Sequence, residues 1–112
     1  SVSADCRDLA YLAAVLSGGG RDPLTGKQLV RPDIARLVRS LMATCGMYDY
    51  SGEFASTVGI PSKSGVGGGI ISAARGKFGV AVFGPALDGH GNSVGGVKML
   101  EFLSEQMDLN MF

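Results

Sequence analysis

Two apolar six-residue runs, Gly69-Ile70-Ile71-Ser72-Ala73-Ala74 and Phe78-Gly79-Val80-Ala81-Val82-Phe83, flank the triplet Arg75-Gly76-Lys77. A short glycine-bearing turn between two β-like runs specifies an antiparallel hairpin. The chain offers only these two good strands, and a lone hairpin is marginal in water without a third strand or a packed helix. The hairpin is therefore expected to be covered by helices, and its sheet to be completed by strands from outside the chain.

The helices are legible from period and caps. From about Asp5 to Ser17, the residues Leu9, Leu12, Ala13 and Leu16 recur at three- and four-residue spacing, with Ser3 placed as an N-cap and Gly18 as a closing glycine. Gly19 to Val30 is polar and broken by Pro23 and Gly26, so it reads as a surface loop. A second helix is predicted from Pro32, with Ile34, Leu37, Val38, Leu41 and Met42 on its buried face and Gly46 at its end. Asp49 or Ser51 suits the cap of a short third helix through Phe54, Ala55 and Val58, stopped by Gly59 and Pro61. After the turn-rich stretch Asp88-Gly89-His90-Gly91-Asn92, a last helix capped by Asn92 or Ser93 buries Val97, Leu100, Leu103 and Met107. Helices, a hairpin and a final helix make an α+β order.

Length and charge bound what such a chain does. At 112 residues it holds one core and not two. Ten acidic and ten basic residues cancel, so no field steers it to nucleic acid or to an anionic membrane. No apolar run approaches the roughly 20 residues that span a bilayer. Apolar residues are 46% of the chain and charged ones only 18%, which is oily for so small a domain and implies apolar surface covered by something outside it. Ser1 to Asp5 lacks the features of a secretory signal, and an opening residue other than Met points to a cut or trimmed chain. Cys6 and Cys45 lie in helical patterns without C-x-x-C spacing. They are read as buried thiols, and the protein as one of a reducing cytoplasm.

Eighteen glycines are about double the usual share of roughly 7%, and they cluster. In Lys63-Ser64-Gly65-Val66-Gly67-Gly68-Gly69 the cluster places an ammonium, a hydroxyl and several unhindered backbone N–H groups together, shortly after Cys45-Gly46-Met47-Tyr48-Asp49. Glycines let main chain approach a ligand closely, so this segment suits an oxyanion. Tyr48 follows a helix-ending glycine and is expected to project from a turn, where a tyrosine can serve as a base. It equally suits a core-edge tyrosine with a satisfied hydroxyl, and Lys63 and Ser64 equally suit a solvated turn.

Other patterns dissolve on inspection. The glycine run lacks the last glycine of G-x-G-x-x-G and leads into a strand, so no helix N-terminus waits for a pyrophosphate. Gly20 to Lys27 imitates a phosphate-binding loop, but its glycine spacing is one too long and Gln28 stands where Ser or Thr holds magnesium. His90 is the only histidine and lacks carboxylate or cysteine partners at ligand spacing, so it reads as a loop residue and neither a zinc site nor a Ser-His-Asp triad is supported.

Taken together, Cys45-Gly46-Met47-Tyr48-Asp49, Ser51-Gly52, Phe54-Ala55, Val58-Gly59, Pro61 and Lys63 to Ile70 resemble the C-terminal part of the serine-dependent glutaminases. The resemblance extends upstream through Asp8-Leu9-Ala10, Gly18 to Gly20, Pro23 and Thr25-Gly26, and downstream through Leu87-Asp88 and Gly91 to Val94. It implies a β-lactamase-like fold and hydrolysis of L-glutamine to L-glutamate and ammonia through a serine acyl-enzyme, with no metal or cofactor. It implies that Tyr48 is the active-site tyrosine, catalytic and substrate-binding. Val66 would give an oxyanion-hole N–H that also contacts substrate, and Lys63-Ser64-Gly65 would be the supporting motif on the strand that lines the site.

The family's nucleophile lies in a Ser-x-x-Lys motif, and no such spacing occurs in these residues. The chain is therefore expected to be the C-terminal part of a single domain, inactive alone, with the N-terminal portion of the same enzyme, L-glutamine and further copies in a homo-oligomer as its partners. The alternative is a non-catalytic glutamine-binding or interaction module that keeps only this half of the fold.

Overall fold

The computed structural model describes residues 4–112. In chain order these form α1 (Cys6–Ser17), α2 (Pro32–Cys45), one turn of 3-10 helix (Tyr48–Tyr50), α3 (Ser51–Thr57), β1 (Ser62–Ser64), β2 (Gly69–Ala74), β3 (Phe78–Phe83) and α4 (Val94–Met107). The three strands make one antiparallel sheet in the order β1-β2-β3.

The hairpin of β2 and β3 has the predicted bounds, with Gly76 at positive φ (71°) in its turn. The expectation of only two strands is corrected, because Ser62–Ser64 is a third one. Three residues behind Pro61 are too short to show a two-residue period, although the family resemblance places Lys63 and Ser64 on a strand, as they are. Ser62, Lys63 and Ser64 stand opposite Ser72, Ile71 and Ile70, and the Ser62 and Ser72 hydroxyls bond at 2.7 Å.

Strand alternation sends Ile70 and Ala74, with their partners Val82 and Phe78, to one face. There they join Met47, Phe54, Val58, Ile60, Val97, Leu100 and Leu109 in the main core beneath α3 and α4. On the other face, Ile71 and Ala73 pack with Leu16, Val38 and Met42 beneath α1 and α2. Helix α1 lies so close to β3 that a Cβ on Gly79 would stand 2.1 Å from the Ala14 nitrogen.

Several local expectations are revised. Asp5 caps α1, accepting from the Asp8 N–H while Asp8 accepts from the Asp5 N–H; Ser3 lies outside the described residues. Gly18 has φ −87°, and the left-handed turn is made instead by Gly19 and Gly20. Helix α2 starts at Pro32 and buries Ala35, Arg39 and Met42, whereas Ile34, Leu37 and Leu41 face outward. Val38 and Met42 pack on the sheet as predicted, so the outward-facing part of the apolar stripe is Ile34, Leu37 and Leu41. Neither Asp49 nor Ser51 caps α3, which continues directly from the 3-10 turn with Tyr50 at its N-cap. Ser93 caps α4, accepting from the Gly96 N–H; Val97 and Leu100 are buried but Met107 is exposed. Cys6 and Cys45 are exposed free thiols and not buried ones, since one sits in the first turn of its helix and the other closes the last, where packing is least.

Candidate active site

The site grows from the junction of α2 with β1. A Cβ on Gly46 would stand 1.8 Å from the Ser62 carbonyl oxygen and 2.6 Å from that of Met42, so only glycine lets the helix end touch the strand. The contact is used: the Ser64 N–H donates to the Gly46 carbonyl at 2.9 Å. Met47 then enters the main core. The next residue, Tyr48, takes the left-handed conformation at φ 57°, a strain on the order of 1–3 kcal/mol for a residue with a side chain.

Three hydrogen bonds hold that strain. The Ser51 hydroxyl accepts from the Met47 N–H at 3.0 Å and donates to the Tyr48 carbonyl at 2.7 Å. The fully buried Asn92 donates its Nδ2 to the Met47 carbonyl at 3.1 Å. With backbone fixed on both sides, the Tyr48 ring leaves the core and stands 40% exposed, projecting from a turn as the sequence predicts.

The ring is bracketed. The Lys63 ammonium lies 4.8 Å from its centroid, within cation–π range, and also donates to the Ser64 carbonyl. Gly91, at φ 92°, approaches the ring edge so closely that an added Cβ would be 3.6 Å from Tyr48 Cε2. The loop carrying Gly91 is tied down by Asp88, whose carboxylate accepts from the N–H groups of His90 and Asn92 at 2.8 and 3.1 Å. His90 clips it to the tyrosine turn, with Nδ1 2.7 Å from the Asp49 carboxylate and its ring tilted on Tyr50 at 5.2 Å. The hydrogen bond to Asp49, helped by the charges of Asp49, Asp88 and Glu53, raises the His90 pKa against a smaller opposing effect of desolvation.

Beyond β1 the glycine run forms a tight turn. The N–H groups of Gly65 and Gly68 donate to the Gly69 and Gly65 carbonyls, each at 3.0 Å. Gly68, at φ 97°, lies against Gly84, whose carbonyl oxygen would be 2.5 Å from a Gly68 Cβ; the Gly84 N–H donates back to Gly68 at 2.9 Å. The turn is therefore clamped from β3, with the Val66 side chain 72% exposed at its tip. Among the described residues the Val66 N–H makes no backbone hydrogen bond. A free N–H on a fixed turn can serve an oxyanion without reorganisation. Ser64 is buried, and its hydroxyl has no hydrogen-bond partner among the described residues.

The structure thus brings Lys63 onto Tyr48 and joins Ser64 to the tyrosine turn, while Gly65 and Val66 stand in the turn beyond. The sequence reading missed Asn92 and Ser51 as clamps on Tyr48, because both also suit helix caps. It also missed the Gly91 contact and the bond that couples His90 to Asp49. The residues lie on an open surface, and among the described residues no three metal-ligating side chains gather.

Glutaminases of Clostridium tetani and Clostridium botulinum are 52% and 51% identical over all 112 residues, and the chain spans 37% of their length. A Bacillus glutaminase crystallised in 4.3 M NaCl superposes with a TM-score of 0.94 at 36% identity, over 97% of this chain and 38% of that one. The Bacillus subtilis glutaminase in covalent complex with 5-oxo-L-norleucine does so equally, with 40% of its chain covered. The fold is accordingly α+β and β-lactamase-like. A family profile described as Glutaminase matches residues 1–112, and with relatives of such identity along the whole chain, the protein belongs to the glutaminase family.

Proposed function

We propose that the chain is the C-terminal part of one glutaminase domain whose remaining portion carries a Ser-x-x-Lys nucleophile, and that the whole hydrolyses L-glutamine to L-glutamate and ammonia. The chain's 37% share of its relatives' length supports the partition. The Bacillus subtilis relative forms a covalent complex on reaction with 6-diazo-5-oxo-L-norleucine, and such an adduct requires a nucleophile. The two unpaired, exposed thiols fit a reducing cytoplasm. Self-association would cover Met99 and Phe102, which α4 leaves exposed.

In this reading the serine oxygen attacks the side-chain amide carbon of glutamine, and its proton leaves through a neighbouring base. The developing oxyanion accepts from the Val66 N–H, a donor whose loss costs on the order of 100-fold or more in turnover. Tyr48 relays a proton to the departing nitrogen, which leaves as ammonia. Water then attacks the acyl carbon, the serine oxygen regains a proton, and L-glutamate is released. Lys63 holds the tyrosine ring and adds positive charge beside the oxyanion. The unpartnered Ser64 hydroxyl offers a hydrogen bond to a group brought by the rest of the domain.

The observation that carries this proposal is the strained, clamped and yet outward-facing Tyr48. In the intact protein Tyr48→Phe is expected to lower kcat by about 10²–10⁴-fold, the usual worth of a proton-transfer group. Its melting temperature should stay unchanged, since the ring contacts to Lys63 and Gly91 persist. Wild-type turnover in that variant would remove Tyr48 from the chemistry. The isolated 112-residue chain is expected to show no turnover, and measurable glutamine hydrolysis by it would overturn the partition.

A further inference from the structure

The loop after β3 meets the tyrosine turn in antiparallel register. His90 Nδ1 lies 2.7 Å from the Asp49 carboxylate, Gly91 stands at the edge of the Tyr48 ring, and Asn92 Nδ2 donates to the Met47 carbonyl at 3.1 Å. Three consecutive loop residues thus face three consecutive turn residues, with Tyr48 in the middle. The loop is also closed on itself. The Asp88 N–H donates to the Asn92 carbonyl at 2.8 Å, the Gly91 N–H donates to the Asp88 carbonyl at 3.1 Å, and Leu87 bridges Ser93 at the base. It meets the turn as one unit, and the two segments form a clasp.

The ends of this clasp differ. Asn92 is fully buried and fixes the inner end. At the outer end the His90 and Asp49 side chains are 43% and 79% exposed, and an ion pair so placed is weak and screened by salt. The charged groups acting on the His90 ring are Asp49 in the 3-10 turn, Glu53 on α3 and Asp88 in its own loop. The Tyr50 ring lies against it at 5.2 Å and is itself packed on the main core. A protonated ring therefore makes a charge-assisted bond to Asp49 among carboxylates, whereas a neutral ring makes an ordinary one. Between the fixed end and the adjustable one sits Tyr48, whose left-handed backbone at φ 57° costs free energy to hold. That strain is released when the outer end lets go.

We propose that His90 is a positioning residue for Tyr48: with its ring protonated it closes the outer end of the clasp and presents the tyrosine, and with its ring neutral it lets the turn relax. The inference rests on the proposed chemistry of Tyr48, so its test pairs turnover with a measurement that needs none. Glutamine turnover of the intact wild type and of His90→Gln is compared from about pH 5 to 8, where histidine titrates. The pH dependence of the chemistry itself is common to both and cancels in the ratio. At the acidic end the wild-type kcat is expected to exceed the variant's by about two- to fivefold, the worth of an exposed ion pair, at equal KM. The hydrogen bond to Asp49 is the main cause that raises the folded-state pKa of His90. The advantage is therefore full below about 6.5 and disappears as pH rises through the raised value. Asp49→Asn should behave as His90→Gln does, and the double variant should be no worse than either. The second measurement is hydrogen exchange at the Met47 amide, which donates to the Ser51 hydroxyl within the same turn. Its protection in the wild type relative to His90→Gln should follow the same pH course. Exchange that does so with no change in turnover upholds the clasp and removes Tyr48 from the chemistry. A protection ratio that is flat in pH overturns the clasp, whatever turnover does.

Discussion

Gly46→Ala tests the joint on which the candidate site depends. The new methyl would meet the Ser62 carbonyl oxygen at 1.8 Å, and this obstacle is backbone, not the end of a flexible side chain. To reach even 3.0 Å the strand must retreat by about 1.2 Å. That movement breaks the 2.9 Å bond from the Ser64 N–H to the Gly46 carbonyl. An orphaned buried amide costs about 1–3 kcal/mol and overpacking about as much again, so a loss of roughly 2–6 kcal/mol is expected. A share of that size is a large fraction of the 5–15 kcal/mol that stabilises an ordinary domain.

The same retreat carries Lys63 and the Val66 turn away from Tyr48. A 1 Å misplacement of reacting groups costs on the order of 100-fold in rate, so surviving folded Gly46→Ala protein should be severely impaired in turnover. Denaturant unfolding of the intact protein reads the first effect and glutamine turnover the second. Gly52→Ala is the control: it lies in α3 with nothing within 4 Å of the added Cβ, and should be neutral or stabilise by up to about 1 kcal/mol. A Gly46→Ala protein within about 0.5 kcal/mol of wild type, with the Ser64 amide still protected from hydrogen exchange, would refute the reasoning.

Two further outcomes are expected. Asn92→Ala removes the bond to the Met47 carbonyl and should cost about 1–3 kcal/mol by denaturant unfolding. It should also lower kcat more than it raises KM, because the released turn no longer presents Tyr48. For His90, Asp49 raises the folded-state pKa above the ordinary value, so the pair's stabilisation is fully present below the unfolded value of about 6.5. It is lost as pH rises through the raised folded value. The melting temperature of the wild type should therefore fall toward that of His90→Gln as pH increases across this window; a pH-independent difference between the two would separate the clip from its charge.

What the sequence could reveal depended on the range of the signal. The hairpin bounds, the start of α2 at Pro32 and the Ser93 cap are set by residues within a few positions of each other, and each was legible. The third strand was not legible from period or turn signals, because β1 is defined by pairing with β2 and by the Gly46 carbonyl; only the family resemblance put Lys63 and Ser64 on a strand. The projecting Tyr48 could be inferred from Gly46 and Asp49, but its clamps could not. Asn92 lies 45 positions from Met47, and an asparagine ahead of Ser93 carries a strong local meaning as a cap that hides the distant one. His90 was likewise read as a loop residue because its partner Asp49 is 41 positions away.

The error on α2 has a different origin. Ile34, Leu37 and Leu41 recur at helical spacing, and the amphipathic signal they give is real. They nevertheless face outward, as do Tyr11 and Leu12 of α1, while Arg39 is among the residues turned inward. Periodicity reports the surface a helix buries in the folded whole, not in whatever portion is at hand. An apolar stripe directed away from its own sheet is costly unless covered. On the proposed partition, the remainder of the domain lies against this stripe and the nucleophile comes from that same remainder. Substituting Leu37 and Leu41 by Ser should then weaken the intact protein as core substitutions do, by about 2–5 kcal/mol each. If both changes leave its unfolding midpoint unmoved, the stripe is a surface, and the missing portion must dock elsewhere.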